Sequence, residues 1–128
     1  MDILGINKIL QIMPDFYWHQ LHFIEGFKYY MDFNDCYEKI SFFEIYFLLG
    51  DVNSKKNIKI HMKFNDVYSF EIKQNGGSYN QISGFEIVDQ KERGWEMTHR
   101  YLIRDFEDDK INFYCRSIEV VNVEEVFL

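Results

Sequence analysis

"IKIHMKF", residues 58–64, alternates without a break. Side chains of an extended chain point to opposite faces with period two. Ile58, Ile60, Met62 and Phe64 therefore share one side, and Lys59, His61 and Lys63 share the other. That is a β-strand with one buried face and one wet face, and it places His61 in solvent. The same texture continues upstream in "KISFFEIYFLLG" (39–50), where Phe43, Ile45, Phe47 and Leu49 form an apolar, core-facing set opposite Ile40, Phe42, Glu44 and Tyr46. Downstream, "ND" at 65–66 predicts a tight turn and "VYSFEIKQ" (67–74) a further strand with Tyr68, Phe70 and Ile72 on one face.

More strands follow. "ISGFEIVDQ" (82–90) puts Phe85 and Ile87 together, and "WEMTHRYLIRDF" (95–106) sets Trp95, Met97, His99, Tyr101 and Ile103 against Thr98, Arg100, Leu102 and Arg104. In the last strand Ile111, Phe113 and Cys115 share a face, but the apolar set then becomes Ile118 and Val120. A parity flip at 116–117 marks a β-bulge or a strand crossing between two layers. "DVNSKKN" (51–57), "NGG" (75–77), "KERG" (91–94) and "DD" (108–109) punctuate these strands as loops or turns.

The first half of the chain begins differently. Ile3, Ile6, Ile9, Leu10 and Met13 recur at helical spacing before Pro14, which predicts a short helix over 2–13 with Asp2 as its cap. "FYWHQLHFIEGFKYYMDF" (16–33) is rich in aromatic and β-branched residues, with Gly26 at a bulge or turn and "NDC" (34–36) as the next turn. The expected fold class is mainly β (or α+β). It is an antiparallel sandwich or open barrel of seven or eight strands with one N-terminal helix, forming a single domain over 1–128 with antiparallel β from 16 to 126.

Composition narrows the function. Fourteen basic residues against 21 acidic ones leave a net charge of −7, which disfavours direct binding to nucleic acid or to an anionic membrane surface. From Asp105 to Leu128 there are seven carboxylates and two bases, so this segment alone carries −5. The N-terminal "MDILGINKIL" has no basic n-region, and no apolar run is long enough to span a bilayer. Cys36 and Cys115 form neither a CxxC nor a disulfide framework, which suits reduced, half-buried thiols in the cytoplasm.

The residues point to no catalytic motif, metal or cofactor. "DFEDD" (105–109) lacks the central Gly, ligand spacing and distal Glu of a calcium loop. His19 and His22, three apart, would face opposite sides of a strand, and no HExxH or Cys/His cluster occurs. His99 lies in an apolar series and reads as a core or edge histidine. A Cys115–His99 nucleophile pair is conceivable across a hairpin, but Cys115 falls in the apolar phase, where a buried thiol is inert. "QNGGSYNQISG" (74–84) is not a P-loop, and its Asn, Ser and Tyr content suits an adaptable contact loop. The acidic knot is expected at the tip of a hairpin built from 98–106 and 110–116, where carboxylates stay hydrated and guard against edge pairing.

Three stretches, "IKIHMKFNDVYSFEI", "YNQISGFEIVDQ" and "YLIRDFEDDKINFYCRSIEVVNV", together resemble a family of bacterial polymorphic-toxin immunity proteins, the one numbered fifty in that classification. The similar motifs are a strand pair at Ile58 to Ile72, an I-x-G-F-E-I segment at Ile82 to Ile87, and a closing strand at Phe113 to Val120. "MPDFYWHQLHFIEG" (13–26) is similar to the family's opening motif, although no acidic residue follows a histidine there. The resemblance implies a mostly β, non-catalytic cytoplasmic protein that binds and neutralises a cognate toxin domain, a class that includes basic nucleases. It supplies no catalytic residues. On this reading Asp105, Glu107, Asp108 and Asp109 are the expected contact, with Tyr79 beside them, and the protein is a monomer or a homodimer. Two alternatives stand beside it, a small-ligand-binding β domain with an apolar pocket and a small enzyme.

Overall fold

The computed structural model describes residues 2–50, 56–73, 80–91 and 99–127. Among them eight strands join in one sheet: β1 (Ile3–Leu4), β2 (Phe23–Phe33), β3 (Lys39–Gly50), β4 (Lys56–Ile72), β5 (Asn80–Gln81), β6 (Phe85–Asp89), β7 (Tyr101–Asp105) and β8 (Ile111–Phe127). Their order is β5-β2-β3-β4-β8-β7-β6, antiparallel throughout, with β1 added in parallel beside Ile118 and Glu119 of β8.

One face of this sheet is apolar, and the sheet curls to bury it. In a flat sheet β3 and β6, four strand spacings apart, would be separated by roughly 19 Å. The rings of Phe47 on β3 and Phe85 on β6 instead lie 5.1 Å apart. A single segment joins the two ends. Asn80 and Gln81 pair with Ile24 and Phe23, and the Ile82 N–H donates to the His22 carbonyl. A few residues on, Phe85–Asp89 pairs with β7, and the Ser83 and Gly84 carbonyls accept from Glu107 and Phe106. The result is an open barrel closed through one strand-like segment, and the sandwich alternative drops out.

The interior matches the alternation. Phe43, Ile45, Phe47, Ile60, Met62, Phe64, Phe85, Ile87, Ile103, Phe113, Cys115, Ile118 and Val120 are all buried. The Phe43, Phe64, Phe70 and Phe113 rings pack on one another, with Phe43 and Phe70 centroids 4.8 Å apart and Phe64 and Phe113 5.1 Å apart. Burying each such ring stabilises the fold by about 1.5–3 kcal/mol. The parity flip in β8 is present: Cys115 and Ile118 both point inward, with exposed Arg116 and Ser117 between them.

Several expectations are corrected. "ND" at 65–66 is not a turn, because β4 runs on through it. Asp66 instead takes a left-handed φ of 59°, and β4 reverses parity opposite the flip in β8, with Asn65 facing Ser117 and Val67 facing Cys115. A second irregularity at Ser69 (φ 53°) separates Tyr68 from Phe70 and Ile72; the latter two pack on the core while Tyr68 is exposed. Leu49 is only half-buried.

The helix over 2–13 shrinks to α1 (Asn7–Leu10), since Gly5 adopts φ +80° and Ile3–Leu4 becomes a strand. Asp2 caps nothing and reaches Arg100 instead. The strand expected from residue 16 begins at Phe23, after a 3-10 turn at Trp18–Gln20, whose Trp18 ring meets Phe85 at 6.5 Å. Gly26 is a bulge, as the shift in pairing between Ile24 and Gly26 indicates. Lys56 and Asn57 belong to β4, and the remaining loop residues 51–55, with "NGG", Trp95 and Met97, lie outside the described residues.

The closure turns on Gly84. Its φ is +77°, and an added Cβ would lie 2.8 Å from Cε1 of Phe106. Gly84→Ala is therefore expected to destabilise the protein by about 1–2 kcal/mol, through backbone strain and displacement of Phe106. An unchanged urea midpoint would show that the closing segment tolerates another backbone geometry.

Candidate functional site

The acidic knot sits where expected, at the turn between β7 and β8. Ile103 pairs with Phe113 and Arg104 with Asn112, so the chain must reverse within 106–110. Asp105 makes the reversal. It continues the inward phase of Tyr101 and Ile103, and its Oδ1 accepts the N–H groups of Lys110 at 2.8 Å and Ile111 at 2.6 Å. Asp109 closes the turn with φ 51°, its N–H donating to the Asp105 carbonyl. Asp105 is only 1% exposed, which removes it from the expected contact surface. Burial raises its pKa against the two backbone N–H bonds that lower it, and Oδ2 has no hydrogen-bond partner.

Glu107, Asp108 and Asp109 are exposed, and they follow Phe106, itself 52% exposed, in the turn. The Phe106 ring rests against Gly84 and meets the His19 ring at 5.5 Å. Lys73 lies 4.0 Å from Asp109, a pair that both partners' exposure makes weak. The turn thus presents an aromatic ring and three exposed carboxylates on one short segment, and its backbone is held from inside. Tyr79 lies outside the described residues.

A second polar cluster, on the outer face of β2, β3 and β4, was not anticipated. Glu44 is 7% exposed although it faces outward. Its Oε2 accepts from the Tyr30 hydroxyl at 2.5 Å, and its Oε1 bonds His61 Nε2 at 2.7 Å. An ionised carboxylate only accepts, so His61 Nε2 carries the hydrogen. Lys28 Nζ lies 3.4 Å from Oε2. Burial alone would raise the Glu44 pKa, but the bonds from Tyr30 and His61 and the Lys28 charge outweigh it, and the net direction is down. The Tyr30 hydroxyl is pushed well up, by burial first and then by Glu44. His61 stacks on Tyr46 at 4.2 Å and is mostly covered, which corrects its placement in solvent. Lysines lie over the flanking rings, Lys59 over Tyr46 and Lys63 over Phe42.

Next to this cluster a groove of about 360 Å³ runs along the bend of β4 and β8, between Phe42, Lys63, Asp66, Arg116 and Glu119. Of its two cations, Lys63 and Arg116, the latter is held by Asp66 at 3.2 Å. These groups answer one another's charge and hydrogen-bonding needs, which stabilises the outer face. Alternation indicated that Glu44 and His61 both face outward. Their pairing needed the β3–β4 register, which sets Glu44 opposite Lys63 and Tyr46 opposite His61.

The remaining candidates separate. Cys115 is fully buried and its thiol is pushed up by burial, whereas His99 packs between Tyr68 and Tyr114 at 5.0 and 4.9 Å. Tyr114 alternates with Cys115 along β8 and points to the opposite face, so the Cys–His pair does not form. Cys36 is exposed and Cys115 buried, where both were expected half-buried. Among the described residues no three His, Cys, Asp or Glu side chains gather to hold a metal ion, and no helix is long and apolar enough to cross a membrane. Comparison with known proteins finds no matching family model, no matching curated protein and no matching solved structure.

Two of the buried carboxylates, Asp105 and Glu44, respond oppositely to pH. Asp105, with a raised folded pKa, contributes stability below its unfolded pKa that is lost as pH rises through the folded value. Asp105→Asn keeps an acceptor for the turn, so its stability should improve relative to the native chain as pH climbs through the carboxylate range. Asp105→Ala leaves the Lys110 and Ile111 N–H donors without their acceptor and should cost about 1–3 kcal/mol at low pH, with a smaller cost as pH rises through the carboxylate range. Glu44, with a lowered folded pKa, contributes stability above its unfolded pKa that is lost as pH falls through the folded value. Glu44→Gln should therefore flatten the acid limb of the stability curve. Urea midpoints across pH check both, and parallel curves for the native chain and either variant would contradict the assignments.

Proposed function

We propose that this chain is a non-catalytic binding protein that neutralises a basic toxin domain, in the manner of an immunity protein, and that it works in the cytoplasm of the cell it protects. The carrying observation is the β7–β8 turn, where exposed Phe106 is followed by exposed Glu107, Asp108 and Asp109 on a backbone pinned by buried Asp105. A preorganised loop loses little entropy on binding. Aromatic anchors carry much of the binding energy of interfaces, and carboxylates speed encounter with a basic partner. The net charge of −7 acts in the same direction at longer range. A toxin that acts on nucleic acid carries a basic groove, and an acidic turn that fills the groove blocks it without chemistry.

The test is survival of cells expressing the C-terminal domain of a toxin encoded beside this gene, with and without this protein. Rescue together with a copurifying complex is expected, and equal killing overturns the reading for that pair. With a complex in hand, Asp108→Lys combined with Asp109→Lys should weaken binding about tenfold or more, chiefly by slowing association at low salt. An unchanged association rate would take the turn out of the interface.

A further inference from the structure

Among the described residues, β2 has a neighbour on the side away from β3 only at Phe23 and Ile24. Its pairing with β5 ends at Ile24, and no strand among the described residues lies beyond Glu25 to Phe33 on that side. The same stretch exposes large apolar side chains: Tyr29 is 47%, Met31 57% and Phe33 62% exposed. A long apolar edge is a pairing template that proteins ordinarily cover or blunt.

The residues of this edge are arranged symmetrically. In "FKYYMDF" (27–33) Phe27 answers Phe33, Lys28 answers Asp32 and Tyr29 answers Met31 about Tyr30. We propose that the β2 edge joins a second copy of this chain, antiparallel, with Tyr30 on the two-fold axis, so that the two sheets become one. Residues opposite each other in an antiparallel pair share a face. Tyr30 at the centre therefore sets Lys28 against Asp32 of the second copy twice on the outer face. On the inner face it sets Tyr29 against Met31, and Phe27 against Phe33, also twice each. The two nearest registers that keep the faces matched put Lys28 opposite Tyr30 or opposite Asn34, and neither pairs opposite charges. Charge complementarity thus selects both the occupant and the register. Lys28, whose side chain is 58% exposed, then lies between Glu44 of its own chain and Asp32 of the second copy. This surface shares no residue with the β7–β8 turn, so a dimer leaves the four residues of that turn in place.

Sedimentation equilibrium on the whole chain over a concentration series tests the inference. The native chain is expected to form a dimer. Lys28→Asp alone, or Asp32→Lys alone, converts both cross-pairs to like charges and should raise the dissociation constant about tenfold or more. The double variant Lys28→Asp with Asp32→Lys restores both pairs in reverse and should recover the dimer relative to Lys28→Asp alone, which shares its altered contact with Glu44. Both side chains are exposed, and circular dichroism checks that each variant keeps its β content. A native chain that stays monomeric overturns the proposal. So does a dimer indifferent to the single reversals, or one that the double swap does not recover.

Discussion

β4 and β8 have 17 residues each, and a straight strand of that length would reach roughly 56 Å. A chain of this size has a radius of gyration of about 14 Å, so both strands have to bend around their own core. They bend at the same place. Opposite each other at Asp66 and Arg116, each strand shows two successive outward residues before its apolar side chains turn inward again. Asp66 takes the left-handed conformation that the bend needs, and the Arg116 guanidinium holds its carboxylate. Because the two reversals coincide, Phe64 and Val67 on one strand and Ile118 and Cys115 on the other all reach the same interior.

The remaining architecture adapts to that curvature. The sheet curls far enough for Phe47 to meet Phe85, and residues 80–89 stitch its two ends together. Val121 is the extra residue where the β4–β8 pairing shifts, and its carbonyl accepts from Lys8 Nζ. The N-terminal segment, too short and too Gly-broken for a real helix, becomes a patch along β8 that adds Ile3 and Ile9 to the core. Curvature also explains the outer face. A convex surface exposes more backbone and more ring edge, and the Tyr30–Glu44–His61 network with its overlying lysines covers part of it with satisfied polar groups.

Much of this was legible in the residues. Period-two alternation identified the inner rows of β3, β4, β6 and β8, because burial on one face leaves its mark at every second position. The flip between Cys115 and Ile118 was readable for the same reason. Its counterpart in β4 was misread, since Asn-Asp is both a turn signal and a sequence that tolerates positive φ, and only the partner strand tells the two apart. The helix over 2–13 failed because helical spacing of five apolar residues cannot weigh a single glycine against the free edge that β8 offers. At the candidate site, alternation and charge located the acidic turn. They could not distinguish Asp105 from Asp108 or Asp109, which are chemically identical until the fold buries one of them.

By itself the sequence determined the class, a mainly β antiparallel protein with a wet outer face, an aromatic interior and an acidic turn before its last strand. These follow from local periodicity and composition, which every residue carries with it. The tertiary structure alone decided which strands neighbour each other, that the sheet closes through residues 80–89, that Glu44 meets His61 and Tyr30, and that most of the β2 edge is left without a neighbour among the described residues. Those outcomes depend on register and curvature between segments far apart in the chain, and no local pattern encodes which distant strand will supply the partner.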